Sequence, residues 1–154
     1  MKLELGCGMA PTPGYVHHDK WAHAPHVDLA FDLNVIPWPI ATESVEHLRA
    51  IDVFEHLDVD VRVWLDECHR ILQSDGILVM RLPAYDNPLS FRDPTHKRLF
   101  HPQSFLYWCP QNPGMVWQEF GRYYFGQDYR KWWKQLSMTH EHSDLLFTLV
   151  KDLS

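Results

Sequence analysis

Leu3-Glu4-Leu5-Gly6-Cys7-Gly8 is the stretch on which the fold turns. Leu3 and Leu5 alternate with Glu4 as a half-buried strand requires, and Gly6 and Gly8 then allow a tight turn with no side chain in the way. A bare backbone at the end of a strand lets a protein approach a polar small molecule closely. Working outward, four more strands are predicted, three of them carrying an acid at the end. Residues 15–19 form the second, ending on Asp19, where a carboxylate can accept both hydroxyls of a ribose. Residues 27–33 form the third, with Asp32 followed by the apolar Leu33. Residues 47–52 form the fourth, ending on Asp52, and residues 77–82 the fifth, closed by Pro83. Acids and glycines recurring at strand ends are the layout of an open α/β sheet, whose ligands sit beyond the carboxyl ends of its strands.

The helix after the fourth strand is readable from its apolar stripe. Val61, Trp64, Leu65, Cys68, Ile71 and Leu72 recur at helical spacing. Asp58 or Asp60 can cap its start, and Arg62 with Asp66 forms an i, i+4 pair on the outer face, where His69 is also expected. A Gly-x-Gly-x-x-Gly dinucleotide fingerprint needs a glycine at position 11, a helix after the glycines and an acid about 20 residues on. Pro11 stands there instead, Asp19 follows Gly8 by only 11 positions (19 − 8), and Pro11, Pro13 and Gly14 break any helix between them. A nicotinamide dinucleotide is excluded. A crossover between parallel strands ordinarily takes about a dozen residues or more and is helical. The first one here has only residues 6–14, so its helix is missing or reduced to one turn, and one side of the ligand pocket is poorly covered.

The matching pieces resemble those of a class I S-adenosylmethionine-dependent methyltransferase of the small kind that opens on Leu-x-Leu-Gly-Cys-Gly. They are residues 3–8, Asp19, Asp32-Leu33, Phe54-Glu55-His56-Leu57, and the block from Glu67 to Leu78, in which Ser74-Asp75-Gly76 replaces the usual Pro-Gly-Gly. The resemblance implies a Rossmann-like, mostly parallel sheet with an antiparallel C-terminal edge hairpin, in one domain spanning residues 1–154, and S-adenosyl-L-methionine as cofactor. By the same resemblance Glu4, Gly6, Cys7 and Gly8 belong to the cofactor site, the glycines against the methionine part. Asp19 and Lys20 fall at the ribose, Asp32 and the Leu33 backbone at the adenine, and Asp52 and Val53 near the adenosine or sulfonium. His56, His96 and His101 are the candidate bases. The implied reaction is in-line transfer of a methyl group to a small-molecule or sugar-like acceptor. Two alternatives stand beside it: a cofactor-binding sensor or complex subunit without transferase activity, and an enzyme that degrades the cofactor.

Composition sets bounds on this. The chain has 154 residues, enough for one domain with a sizeable core, and its hydrophobic content of 45% is that of a globular protein. The longest apolar run is far short of a membrane span, and the chain enters a strand at once, so neither a span nor a signal peptide is expected. Cys7, Cys68 and Cys109 have no framework spacing, which fits a reduced, cytoplasmic protein. A net charge of −6 argues against a general nucleic-acid binder. DNA amino-methyltransferases carry Asn/Asp-Pro-Pro-Tyr after strand four, where this chain has Ile51-Asp52-Val53-Phe54. Lysines and arginines gather in the second half, at Arg92, Lys97, Arg98, Arg122, Arg130, Lys131 and Lys134.

Beyond Pro83, residues 84–88 carry turn chemistry, and residues 92–101 form a polar loop near the acceptor entrance with Leu99 and Phe100 as its apolar anchors. A short helix is expected over 103–108, and two strands over 135–142 and 145–153 meet at a Ser143-Asp144 turn. The aromatics from Trp117 to Trp133, including Tyr123, Tyr124, Phe125 and Tyr129, read as packing. Eleven histidines include His17-His18, His23 with His26, and His140 with His142, yet none sits in a metal-binding pattern, and adjacent strand residues point to opposite faces. No metal is expected. A homodimer or a partner chain would cover the open pocket.

Overall fold

A strand of four residues, β1 (Lys2–Leu5), runs through the middle of the sheet because Leu3 and Leu5 are wholly buried on one face. The structure is a computed structural model that describes residues 1–22, 24–109, 123–126 and 131–152. Expectations touching His23, Trp117, Arg122, Tyr129, Arg130 and Leu153 lie outside the described residues. Around β1 the strands β2 (Val16–Asp19), β3 (Leu29–Ala30), β4 (Val45–Ile51), β5 (Leu72–Pro83), β6 (Trp133–Glu141) and β7 (Asp144–Lys151) form one seven-stranded sheet in the order β3-β2-β1-β4-β5-β7-β6. β1 to β5 are parallel to one another, and β7 is antiparallel to both β5 and β6. The chain winds outward from β1 to β3, then returns to the other side of β1 as β4. That reversal leaves a crevice at the carboxyl ends of β1 and β4. The sheet is the expected Rossmann-like one with an antiparallel edge hairpin.

Residues 6–15 contain no helix, as the prolines require. Side chains hold this crossover instead. Buried Glu4 accepts hydrogen bonds from the Thr12 amide (2.8 Å) and hydroxyl (2.6 Å) and pairs with Arg49. The amide of Gly8 donates to Asp19 Oδ2 at 3.0 Å.

α1 (Val61–Ile71) begins at Asp60, whose Oδ1 accepts from the Arg62 and Val63 amides. Trp64, Leu65, Cys68 and Ile71 are fully buried, and Trp64 stacks on Phe54 with ring centroids 4.2 Å apart. His69 is not on the outer face: it is buried edge-on to Trp133, because the start of β6 closes over the second side of the helix. The core includes Leu48, Leu78, Met80, Leu82, Phe147 and Leu149 on the same face of the sheet. On the other face, Lys2, His47, Arg49, Ile51, Ile77, Val79, Arg81, Leu146, Thr148 and Val150 are all partly or fully exposed, while Glu4 and Pro83 are buried. Among the described residues the sheet is thus covered on one side only.

Several boundaries differ from expectation. The third strand is only Leu29–Ala30, an edge strand paired to β2 at two positions. Asp32 accepts from the Asn34 amide at 2.9 Å, a turn that pulls the chain off the sheet, so Asp32 and Leu33 sit in a loop beyond it. β5 starts at Leu72, and the Ser74-Asp75-Gly76 turn survives as an outward bulge: Leu72 pairs with Val45 and Ile77 with His47. After Pro83 the expected turn is present, closed by the Asn87 amide on the Ala84 carbonyl at 3.0 Å, and a short helix that was not expected, α2 (Pro88–Arg92), follows it, capped by Asn87 with Pro88 in its first turn. The helix expected over 103–108 is only a 3-10 turn at Leu106–Trp108. The hairpin turn falls on His142 and Ser143, both with positive φ, a residue earlier than expected. The loop over 92–101 is better anchored than expected: Lys97 N–H donates to the Glu55 carbonyl (2.7 Å), Arg98 Nη2 donates to the carbonyls of Leu57 and Val59, and Phe100 is buried. Leu99 is half exposed. No helix among the described residues is long and apolar enough to cross a membrane.

Candidate functional site

The crevice at the sheet's switch point is a cavity of about 300 Å³ lined by Gly6, His18, Asp19, Lys20, Asp32, Leu33, Asn34, Asp52, Val53, His56 and Leu57. Each comes from the end of a strand or the loop that follows it. Gly6 has φ +61, and a Cβ there would lie 2.6 Å from Val53 Cγ2, so only glycine fits between the strand end and the cavity wall. Its amide donates to His18 Nδ1 at 3.3 Å. His18 Nε2 therefore carries the proton and donates to the Phe31 carbonyl at 3.0 Å, which ties the ends of β1 and β2 to the loop after β3. Burial lowers the His18 pKa, which keeps this ring neutral. Lys20 pairs with Asp32 at 2.9 Å. The Asn34 amide and then Lys20 hold the Asp32 carboxyl below its ordinary value. Asp52 takes a left-handed backbone conformation, φ +53, and pairs through both oxygens with Arg81 of β5.

A second, larger cavity of about 540 Å³ opens beside the first and shares Asp52 and His56 with it. Glu55, Pro83, Asn87, Leu89, Arg92, Asp93, His96 and Asp144 complete much of its wall. A 3-10 turn, Phe54–His56, follows β4 directly and brings Glu55 and His56 to this junction, because Phe54 is pinned between Trp64 and the Arg98 guanidinium. Glu55 is 1% exposed, and burial pushes its carboxyl up to about 8. Burial, then the neighbouring His96, lowers the pKa of His56. The two imidazoles meet edge to face, with centroids 4.7 Å apart.

Of the residues singled out in the sequence, Gly6, Asp19, Lys20, Asp32, Leu33, Asp52 and Val53 converge on the first cavity, and His56 and His96 on the second. Four do not. Glu4 lies behind the crossover, bonded to Thr12 and Arg49. Cys7 is buried, its thiol raised by burial and by the Asp19 and Glu4 charges, and Gly8 is engaged by Asp19 and His26. His101 lies against Tyr85, outside both cavities. Sequence reading missed His18 and Asn34, and it quoted Glu55 only within the block of residues 54–57, without a role. His18 could have been found from its place beside Asp19, but nothing local distinguishes Asn34.

No protein-family model and no curated protein matches the chain. Solved structures do. A chain from the complex between the Haloferax volcanii Trm112 methyltransferase activator and a candidate methyltransferase is 14% identical, with a TM-score of 0.60, over 97% of this chain and 81% of its own. A Thermotoga maritima S-adenosylmethionine-dependent methyltransferase, described as a possible histamine N-methyltransferase, is 13% identical, with a TM-score of 0.64, over 98% and 82%. An Archaeoglobus fulgidus S-adenosylmethionine-dependent methyltransferase is 14% identical, with a TM-score of 0.58, over 97% and 85%. At such identities the likeness is one of fold. This chain has the fold of the class I S-adenosylmethionine-dependent methyltransferases.

Proposed function

We propose that the chain binds S-adenosyl-L-methionine in the switch-point cavity and transfers its methyl group to a small-molecule or sugar-like acceptor in the adjoining one. The observation that carries this reading is the junction: the two cavities meet at Asp52 and His56, so a donor in one faces an acceptor in the other. The residues present suit the cofactor. The bare backbone at Gly6 admits the methionine part, and Asp19 keeps lone pairs for the ribose hydroxyls while holding the Gly8 amide. Asp32 and the Leu33 backbone fall where the adenine would lie, with Lys20 fixing Asp32, and Asp52 with Val53 walls the sulfonium end.

The cofactor brings a methyl group already activated by its sulfonium charge. The chain therefore has to align the reactants and exclude water more than to activate anything. His56 and His96, edge to face at the junction, are the side chains that stand beside the acceptor. His101 is set aside as a base. The thin cover over the first crossover, and a fold neighbour that is solved together with an activator, support a second chain or a second copy over this side of the pocket. The helixless crossover also supports a second reading, a cofactor-binding subunit without transferase activity. Incubation with cofactor labelled on its methyl carbon, against a panel of hydroxylated and amine metabolites, separates the two. Label passing to an acceptor, and reduced in His56→Ala, is expected; label that stays on the cofactor with every acceptor contradicts the transferase reading.

A further inference from the structure

Glu55, His56 and His96 each offer one ligating atom, and these atoms lie within 4.8 Å of one another in the wall of the larger cavity. Their partners leave the ligating positions open. His56 Nδ1 is 2.9 Å from Thr95 Oγ1, and that hydroxyl spends its single proton on Asp93 Oδ1 at 2.6 Å. Thr95 can only accept from His56, so the proton sits on Nδ1 and Nε2 is bare. His96 Nδ1 is 3.2 Å from the Ser90 carbonyl, which also can only accept, so in the neutral ring His96 Nε2 carries no proton; it faces Asp93 Oδ2 at 3.8 Å. A donor N–H anchored to a fixed acceptor, with the other ring nitrogen free, is how metal-bound histidines are oriented. Glu55 supplies the independent observation. It is 1% exposed, lines the cavity, and its Oε2 has no hydrogen-bond partner. A buried carboxylate oxygen is costly to leave unmatched, and a cation is what would match it.

We infer that Glu55, His56 and His96 bind a divalent transition-metal ion such as Zn²⁺, with its remaining positions open to the cavity, and that the acceptor is a hydroxyl compound held on that ion. Two imidazoles and one carboxylate with an open position form a catalytic rather than a closed structural set. A bound cation lowers the pKa of a hydroxyl that coordinates it. The substrate class rests on the transferase reading above. The acceptor O–H gives its proton to water, the oxygen forms a bond to the methyl carbon, and the carbon–sulfur bond breaks. Its electron pair goes to sulfur, leaving a neutral thioether and a methyl ether. The site is hidden in the sequence because His96 lies 40 positions (96 − 56) from its nearest partner.

The test is calorimetric titration of the purified, chelator-treated protein with Zn²⁺, with S-adenosylhomocysteine binding measured on the same samples. One equivalent of Zn²⁺ should bind. Glu55→Gln and His96→Ala should weaken that binding about 100-fold or more, and Thr95→Val about 10- to 100-fold through the lost anchor of His56. His140→Ala, a control at an Asp86 ion pair, should leave it unchanged. Equal Zn²⁺ affinity in wild type, Glu55→Gln and His96→Ala overturns the metal site. Metal binding that follows this pattern without any cofactor binding overturns the transferase reading instead. Retained cofactor binding in the variants shows that they are folded.

Discussion

Asp19 joins two tasks in one carboxylate. It receives the Gly8 amide, which shapes the glycine turn, and it faces the cavity where a ribose would lie. Hydrogen bonds to a charged group are worth about 1.5–3 kcal/mol each. Asp19→Ala should therefore weaken cofactor binding by about 10-fold or more, while His140→Ala should not change it. Equal affinities in a binding titration would remove Asp19 from the site. Asp19, Asp32 and Asp52 were legible because an acid at the end of a predicted strand has a defined place beyond the sheet. His18 and Glu55 were not, since their roles come from partners elsewhere in the chain: the Gly6 amide for one, and His96 for the other.

At the scale of elements, α1 was readable from its stripe because six apolar residues at helical spacing have one sensible burial. Its neighbour was not, so His69 looked like a surface residue until β6 covered it. α2 escaped detection because it is too short for a period to show, and the third strand was expected over 27–33 where only Leu29–Ala30 pairs. The buried His69 makes a pH signature for the contact between α1 and β6. Burial, then the Lys151 charge, drops its pKa from 6.5 to about 4. Between these values the unfolded chain binds a proton that the folded chain does not. Stability therefore holds above pH 6.5 and is lost as the pH falls toward 4, by roughly 3 kcal/mol from this group. Urea unfolding across that range should show a flatter acid limb in His69→Gln than in wild type. Parallel curves would mean that His69 titrates freely in the folded protein.

At the scale of the whole molecule, the described residues form one sheet with a core on one face and a switch point near its centre. The mostly parallel sheet with its antiparallel edge hairpin was legible in the sequence, because strands two to five were each marked by an acid or a proline at or near the end. The bare second face was only half anticipated, through the prolines that forbid a first crossover helix. Which loops close the two cavities was not legible, since that depends on long-range bonds such as Lys97 to Glu55 and Arg98 to Leu57. The junction of the cavities makes cofactor binding the central claim, and direct calorimetry of S-adenosyl-L-methionine into the protein tests it. The expected result is binding at one site, accompanied by thermal stabilisation equivalent to about 2.7 kcal/mol at a hundredfold excess over the dissociation constant. No heat and no shift in unfolding temperature at millimolar cofactor would contradict it.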